Sequence, residues 1–209
     1  MELTRILRQL EAKPEDRWLL LVLAGGILLL IVSYILFLPY LAILAPSGYS
    51  IIDQQTVFTY QANQTILAAW KAIDGGIHAS LMCAYIDLFP FMPAYAAVGF
   101  AWGTLVARHS FEKTRKLGIL LSLCIFPAWL ADIVETGIQA IISMRVETYP
   151  ASLVPIMSTA AVIKMVFFYA ALLWCVVGTI LFLVHRRTRG RTQSSALAAI
   201  ARSMRSQSR

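Results

Sequence analysis

Phe126-Pro127-Ala128-Trp129-Leu130-Ala131-Asp132-Ile133-Val134-Glu135-Thr136-Gly137 lies inside an apolar run, residues 118–143, that is long enough to cross a bilayer, yet it carries two carboxylates. A helix needs about 20 apolar residues to span the hydrocarbon. Asp132 and Glu135 are three residues apart, so on a helix they share one face. Even the lower estimates put an Asp at mid-membrane at about 2.5–3.5 kcal/mol. The two acids must therefore face protein, a partner cation or a water-filled cavity. The rest of the chain reads as the means of enclosing them.

Three further apolar runs flank this one, at residues 18–45, 76–107 and 153–185. The chain is 59% hydrophobic and 14% charged, with mean hydropathy +0.71. That composition lies outside the soluble globular range and predicts an all-α polytopic membrane protein, a bundle of four transmembrane helices with short amphipathic surface helices. Its expected parts are a cytoplasmic amphipathic segment over 1–16, a membrane domain over 17–185 and a basic cytoplasmic tail over 186–209. In the first part, Leu3, Ile6, Leu7 and Leu10 recur at helical spacing with Arg5, Arg8 and Gln9 between them, the pattern of a helix lying on a membrane. The apolar run after it is too long for the core of a secretory signal. Pro46-Ser47-Gly48 ends the first span. In the connection that follows, Ile66, Leu67, Trp70 and Ile73 predict a second surface helix. Asn63-Gln64-Thr65 matches a glycosylation sequon, and Asn63 is equally suited to cap that helix. In the second span Asp87 precedes Pro90 and Pro93, which free backbone carbonyls and predict a kink beside the acid.

Charge gives an orientation. Of the 18 Lys and Arg residues, fifteen fall in the N-terminal segment, a short basic loop over 108–117 and the tail. Only Lys71 and Arg145 fall in the other two connections, and Lys164 is left inside a span. The positive-inside rule then puts both ends in the cytoplasm and the 47–75 connection outside, in a bacterial inner (plasma) membrane. The net charge of +7 is placed for anionic lipid rather than nucleic acid, so membrane lipids are the expected partners. In the tail, Leu197, Ile200 and Met204 fall on one helical face and Arg202, Arg205 and Arg209 on the other; a helix on lipid and a disordered tail both fit.

Measured from their expected outer ends, Asp87, Asp132 and Lys164 each lie eleven residues in, and so does Tyr34. At 1.5 Å per residue that is a common depth of roughly 16 Å. Lys164 can neutralise one of three carboxylates, so one of Asp87, Asp132 and Glu135 is expected as the neutral acid, or a bound cation makes up the charge. Asp132, Glu135 and Asp87 are thus the candidate acid/base or cation site, Lys164 the counter-charge, and Tyr34, Tyr95 and Trp129 the candidate ligand-binding aromatics. No cofactor or metal is expected. His78, His109 and His185 lie near span ends, against a haem held between helices. Asp132-x-x-Glu135 lacks the Glu-x-x-His pairs of four-helix di-metal proteins. Cys83, Cys124 and Cys175 have no disulfide or metal spacing, and neither a phosphate-binding Gly loop nor a Ser-His-Asp arrangement is present.

Asp87 in the second span and Asp132-Ile133-Val134-Glu135 in the third resemble a set of uncharacterised small bacterial four-helix membrane proteins, which carry a carboxylate in helix 2 and Asp-x-x-Glu-Asn in helix 3. Thr136 stands here where Asn would be. The resemblance implies the four-helix fold and no activity. A fainter likeness, to the EXPERA group of sterol-isomerase-like proteins, rests on acids inside a small bundle and transfers no residue. Two functions follow as expectations. One is a membrane site that binds or acts on a small amphipathic or lipid-soluble molecule, or handles protons. The other is an accessory or assembly subunit of a larger membrane complex, whose cluster fixes helix register only.

Overall fold

The computed structural model describes residues 9–11 and 13–207, with side chains as far as residue 187 except at position 113. Among these residues the chain is all-helical, without strands. Four stretches are long and apolar enough to cross a membrane: Asp16–Ser47, Gly76–Arg108, Thr114–Met144 and Leu153–Arg187. The expected surface helix over Leu3, Ile6 and Leu7 lies outside the described residues, as do the side chains of the tail beyond residue 187.

Helix α1 (Asp16–Leu44) closes in a 3-10 turn over Ala45–Ser47. Gly48 then takes φ 76°, a left-handed conformation that glycine adopts without a Cβ clash. A short helix not expected from the sequence follows, α2 (Ile51–Thr56). Its signal was legible, because Ser50-x-x-Asp53 forms a capping box. Ser50 Oγ accepts from the Asp53 amide, and Asp53 accepts from the Ser50 amide at 2.7 Å. That backbone hydrogen bond holds the Asp53 carboxyl below its usual range.

Helix α3 (Tyr60–Lys71) is the expected surface helix, and it buries Ile66, Leu67 and Trp70. Asn63 does not cap it. Thr59 does, by accepting from the Ala62 amide. Asn63 falls a turn inside and is fully buried, with its Nδ2 donating to Tyr149 Oη at 2.8 Å.

The predicted kink in the second span is a π-helical turn, Asp87–Phe91, between α4 (Gly76–Ile86) and α5 (Met92–Arg108). Pro90 has no N–H to give and its ring presses on the carbonyl one turn back. An extra residue in the turn relieves both, so the Met92 amide reaches back five residues to the Asp87 carbonyl.

The basic 108–117 segment is mostly helix rather than loop: α6 (Glu112–Leu123) begins six residues before the expected start of the third span. Its break from α7 (Ile125–Met144) is local. Pro127 cannot donate to the Leu123 carbonyl, and the turn tightens so that the Cys124 amide bonds Leu121 three residues back. Nor is Arg108 a solvated charge. Its side chain is 7% exposed, lies 2.8 Å from Asp16 and donates to the Leu10 carbonyl. Helix α8 (Leu153–Gln207) continues past the expected boundary at 185 without a break.

The first span, α1, packs on α4 and α5, while α8 packs on α7 and α5. Among the described residues no comparable contact joins α1 to α8. Instead α2 reaches across to α8, where Ser158 Oγ donates to the Val57 carbonyl. The bundle thus keeps a gap between its first and last spans, and α2 covers one end of it.

Candidate functional site

The gap between α1 and α8 leads to a cavity of about 380 Å³. Most of its wall is apolar or aromatic: Phe37 and Leu41 of α1, Phe91 at the π turn, and Met165, Phe168 and Tyr169 of α8. Ile51, Ile52 and Gln55 of α2 close one end. One side of the wall is polar, made by Asp87, Asp132, Gln139 and Lys164. Tyr34 and Tyr169 both line the cavity and are both 60% exposed. The cavity therefore reaches the bundle surface between the first and last spans.

The polar wall is organised by α7. Asp132, Glu135, Thr136 and Gln139 recur at i, i+3, i+4 and i+7, the helical period applied to polar residues. They are 2%, 0%, 1% and 1% exposed, whereas Leu130 and Val134 on the opposite face are 60% and 48% exposed. This helix is polar inward and apolar outward.

Lys164 crosses from α8 and bridges one turn of the stripe. Its Nζ lies 3.0 Å from Asp132 Oδ1, as a hydrogen bond, and 2.6 Å from Glu135 Oε2. The second approach is a close ion pair, and among the described residues Glu135 has no donor besides this ammonium. Tyr95 Oη on α5 donates to the other Asp132 oxygen at 2.7 Å. Thr136 donates to Asp87 Oδ2 at 2.8 Å.

All four ionisable residues singled out from the sequence therefore meet, across the second, third and fourth candidate spans. Depth along the helices left the partners of Lys164 open. Glu135 is the nearer partner of Lys164, and Asp87 is the acid left over. The reason is reach: Asp132 and Glu135 sit one turn apart on one face, so a single lysine from α8 serves both.

The aromatic candidates divide. Tyr95 is 6% exposed and joins the cluster directly, and Tyr34 stands at the cavity rim. Trp129 does not reach this cavity; it lies at the edge of the stripe and lines a shallow recess with Pro93, Ala96 and Phe126. Ser33, beside Tyr34, turns inward and bonds the Leu29 carbonyl of its own helix. Sequence reasoning missed Thr136 and Gln139, which the polar period marks. It also missed Phe37, Phe91 and Phe168, whose signal was hidden among many apolar residues. Cys83, which has no disulfide or metal spacing, is buried and lines the wall as well.

Chemically, the arrangement offers a lysine ammonium held by two carboxylates, a phenol donating to one of them, and a third carboxylate with a hydroxyl donor. These are groups that hold a polar head or pass a proton. Among the described residues no group of three or more His, Cys, Asp or Glu is arranged to hold a metal ion. Comparison with known proteins finds no matching family model, curated protein or solved structure.

Proposed function

We propose that the chain is an integral membrane protein, in a bacterial inner (plasma) membrane with both ends cytoplasmic, whose side-facing cavity binds or acts on a small amphipathic or lipid-soluble molecule. The observation that carries this reading is the cavity itself. Its volume of about 380 Å³ falls in the range of small-molecule sites. Its walls suit an apolar body and its one polar face suits a head group. Entry is between α1 and α8, sideways from the bilayer. Where the molecule is altered rather than held, Asp132, Glu135 and Asp87 are the acid/base groups and Lys164 their counter-charge.

The test is native purification in a mild detergent, followed by mass spectrometry of the extract. Met165 lines the cavity, and Met165→Trp extends a larger ring into it. The expected result is a small molecule in the wild-type extract that is missing from the Met165→Trp extract. Identical extracts would overturn the reading.

The second reading, an accessory subunit of a membrane complex, is favoured by a different feature. Between α7 and α8 an outward recess is lined by small and apolar residues, among them Ala131, Pro155, Thr159 and Ala160. Small residues let helices approach closely in membranes. A protein that co-purifies at fixed stoichiometry and is lost in Ala160→Leu would favour this reading.

Orientation is tested with single cysteines. In a background lacking Cys83, Cys124 and Cys175, a membrane-impermeant thiol reagent on whole cells is expected to label Gln61→Cys, at an exposed position on α3, and to spare Ser194→Cys. The reverse pattern would invert the topology.

A further inference from the structure

We propose that the cavity's ligand is an amphipathic cation, an apolar body carrying an ammonium-type group that settles against Asp87 among aromatic rings. This rests on the reading of the cavity as a ligand site, and it assigns the ligand's charge.

The first support is where the charges go. Lys164 is engaged by Asp132 and Glu135 together. Asp87 has no ion pair among the described residues; its one partner is the Thr136 hydroxyl, on Oδ2, and Oδ1 has no protein donor. Asp87 also lines the cavity. A carboxylate in these surroundings is costly unless a cation or hydrogen bonds compensate it. A ligand cation at Oδ1 supplies what the protein does not. An anionic head would instead enter a cluster with three carboxylates and one already committed lysine, and like charges at short range oppose it.

The second support is the wall. Phe37, Phe91, Tyr95, Phe168 and Tyr169 run as a chain of neighbouring rings with centroids 5.5–5.7 Å apart. All five line the cavity. Ring faces attract a desolvated cation, and do so most strongly away from water. The rings thus suit the cation as well as the apolar body.

The third support is an unpartnered group. Gln139 is 1% exposed, lines the cavity, and its Nε2 has no hydrogen-bond partner. A buried amide N–H in this state calls for an acceptor. Gln139 lies three residues from Thr136, the residue that bonds Asp87, or roughly 5 Å along the helix. The ligand's ammonium is therefore expected to have an oxygen acceptor, such as a hydroxyl, ether or ester, a few bonds away.

The test uses the full chain in dodecyl maltoside with three ten-carbon probes: decyltrimethylammonium, decan-1-ol and decanoate. Saturable binding is read by native mass spectrometry across a titration. Decyltrimethylammonium is expected to bind one to one and at least tenfold more tightly than either other probe. In Asp87→Asn the cation's advantage over decanol is expected to vanish. Decanol or decanoate binding to wild type as tightly as the cation would overturn the charge assignment and leave the cavity reading standing. Persistence of the cation preference in Asp87→Asn would overturn Asp87 as its source. Saturable binding of none of the three would remove the cavity reading, and this inference with it. The wild-type comparison decides the question even where Asp87→Asn fails to fold.

Discussion

Replacing Lys164 by methionine is expected to lower the stability of the purified protein by about 3–5 kcal/mol, the usual consequence of removing one partner from a buried ion pair. For a chain of this length that is a fall in Tm on the order of 10 °C. The ammonium lies between Asp132 and Glu135, and its side chain is only 15% exposed. Methionine keeps much of the volume and removes the charge, leaving two carboxylates one turn apart with nothing between them. The pattern of rescue identifies the partners. Glu135→Gln or Asp132→Asn added to Lys164→Met is expected to recover part of the loss, and the two together most of it. Asp87→Asn is expected to recover less than either, because Lys164 forms its ion pairs with Asp132 and Glu135, and Asp87 adds only the longer-range repulsion of a third carboxylate. Thermal unfolding in detergent provides the readout. A Lys164→Met protein that melts like wild type would show that the lysine does not hold the cluster.

The second large effect lies at the opposite end of the bundle, around Trp174. Its indole is 4% exposed, and Nε1 donates to the Gly103 carbonyl at 3.0 Å. The ring fits because Gly118 on α6 has no side chain: a Cβ there would lie 2.0 Å from the ring. The indole cannot step aside easily, being held by its hydrogen bond and by Val106 and Ile119 around it. Gly118→Ala is therefore expected to cost at the upper end of the usual 1–3 kcal/mol for overpacking, and Gly118→Val to prevent recovery of monodisperse protein. Trp174→Phe removes part of the obstructing ring. Its loss combined with that of Gly118→Ala is expected to be smaller than the sum of the two, as for residues in direct contact. Additive losses, measured by the same unfolding assay, would show that the glycine and the tryptophan do not share this space.

These two sites show what was readable from the chain and what was not. Asp132, Glu135, Asp87 and Lys164 stood out because a charge inside an apolar run has few places to go, and counting residues along helices set them at one level. The count fixes height along an axis but not which way a side chain turns, so it did not assign Lys164 to Glu135 or leave Asp87 over. Gly118 passed unnoticed for another reason. It was taken as the edge of a span, because Lys113, Arg115 and Lys116 before it looked like loop. Charged residues are good helix formers, however, and with no proline until Pro127 nothing in that segment stops a helix. The short helix α2 was missed because its capping box precedes only six helical residues, too few for a periodic pattern to emerge.

The wide turn at Asp87–Phe91 has a consequence for the shape of the wall it belongs to. Cys83, Asp87, Phe91 and Tyr95 all border the cavity, and each is four positions from the next. In an ordinary helix a step of four overshoots a full revolution by about 40°, so three such steps would carry Tyr95 roughly 120° away from Cys83. The π turn spends more residues on its revolution and rotates less per residue, which takes back much of that drift. The row is straightened, like a thread unwound for one turn, and a single span lays four side chains, one from each turn, along one side of an elongated space. The proline that disturbs the backbone at position 90 is thus also what keeps Asp87 and Tyr95 pointing into the same chamber.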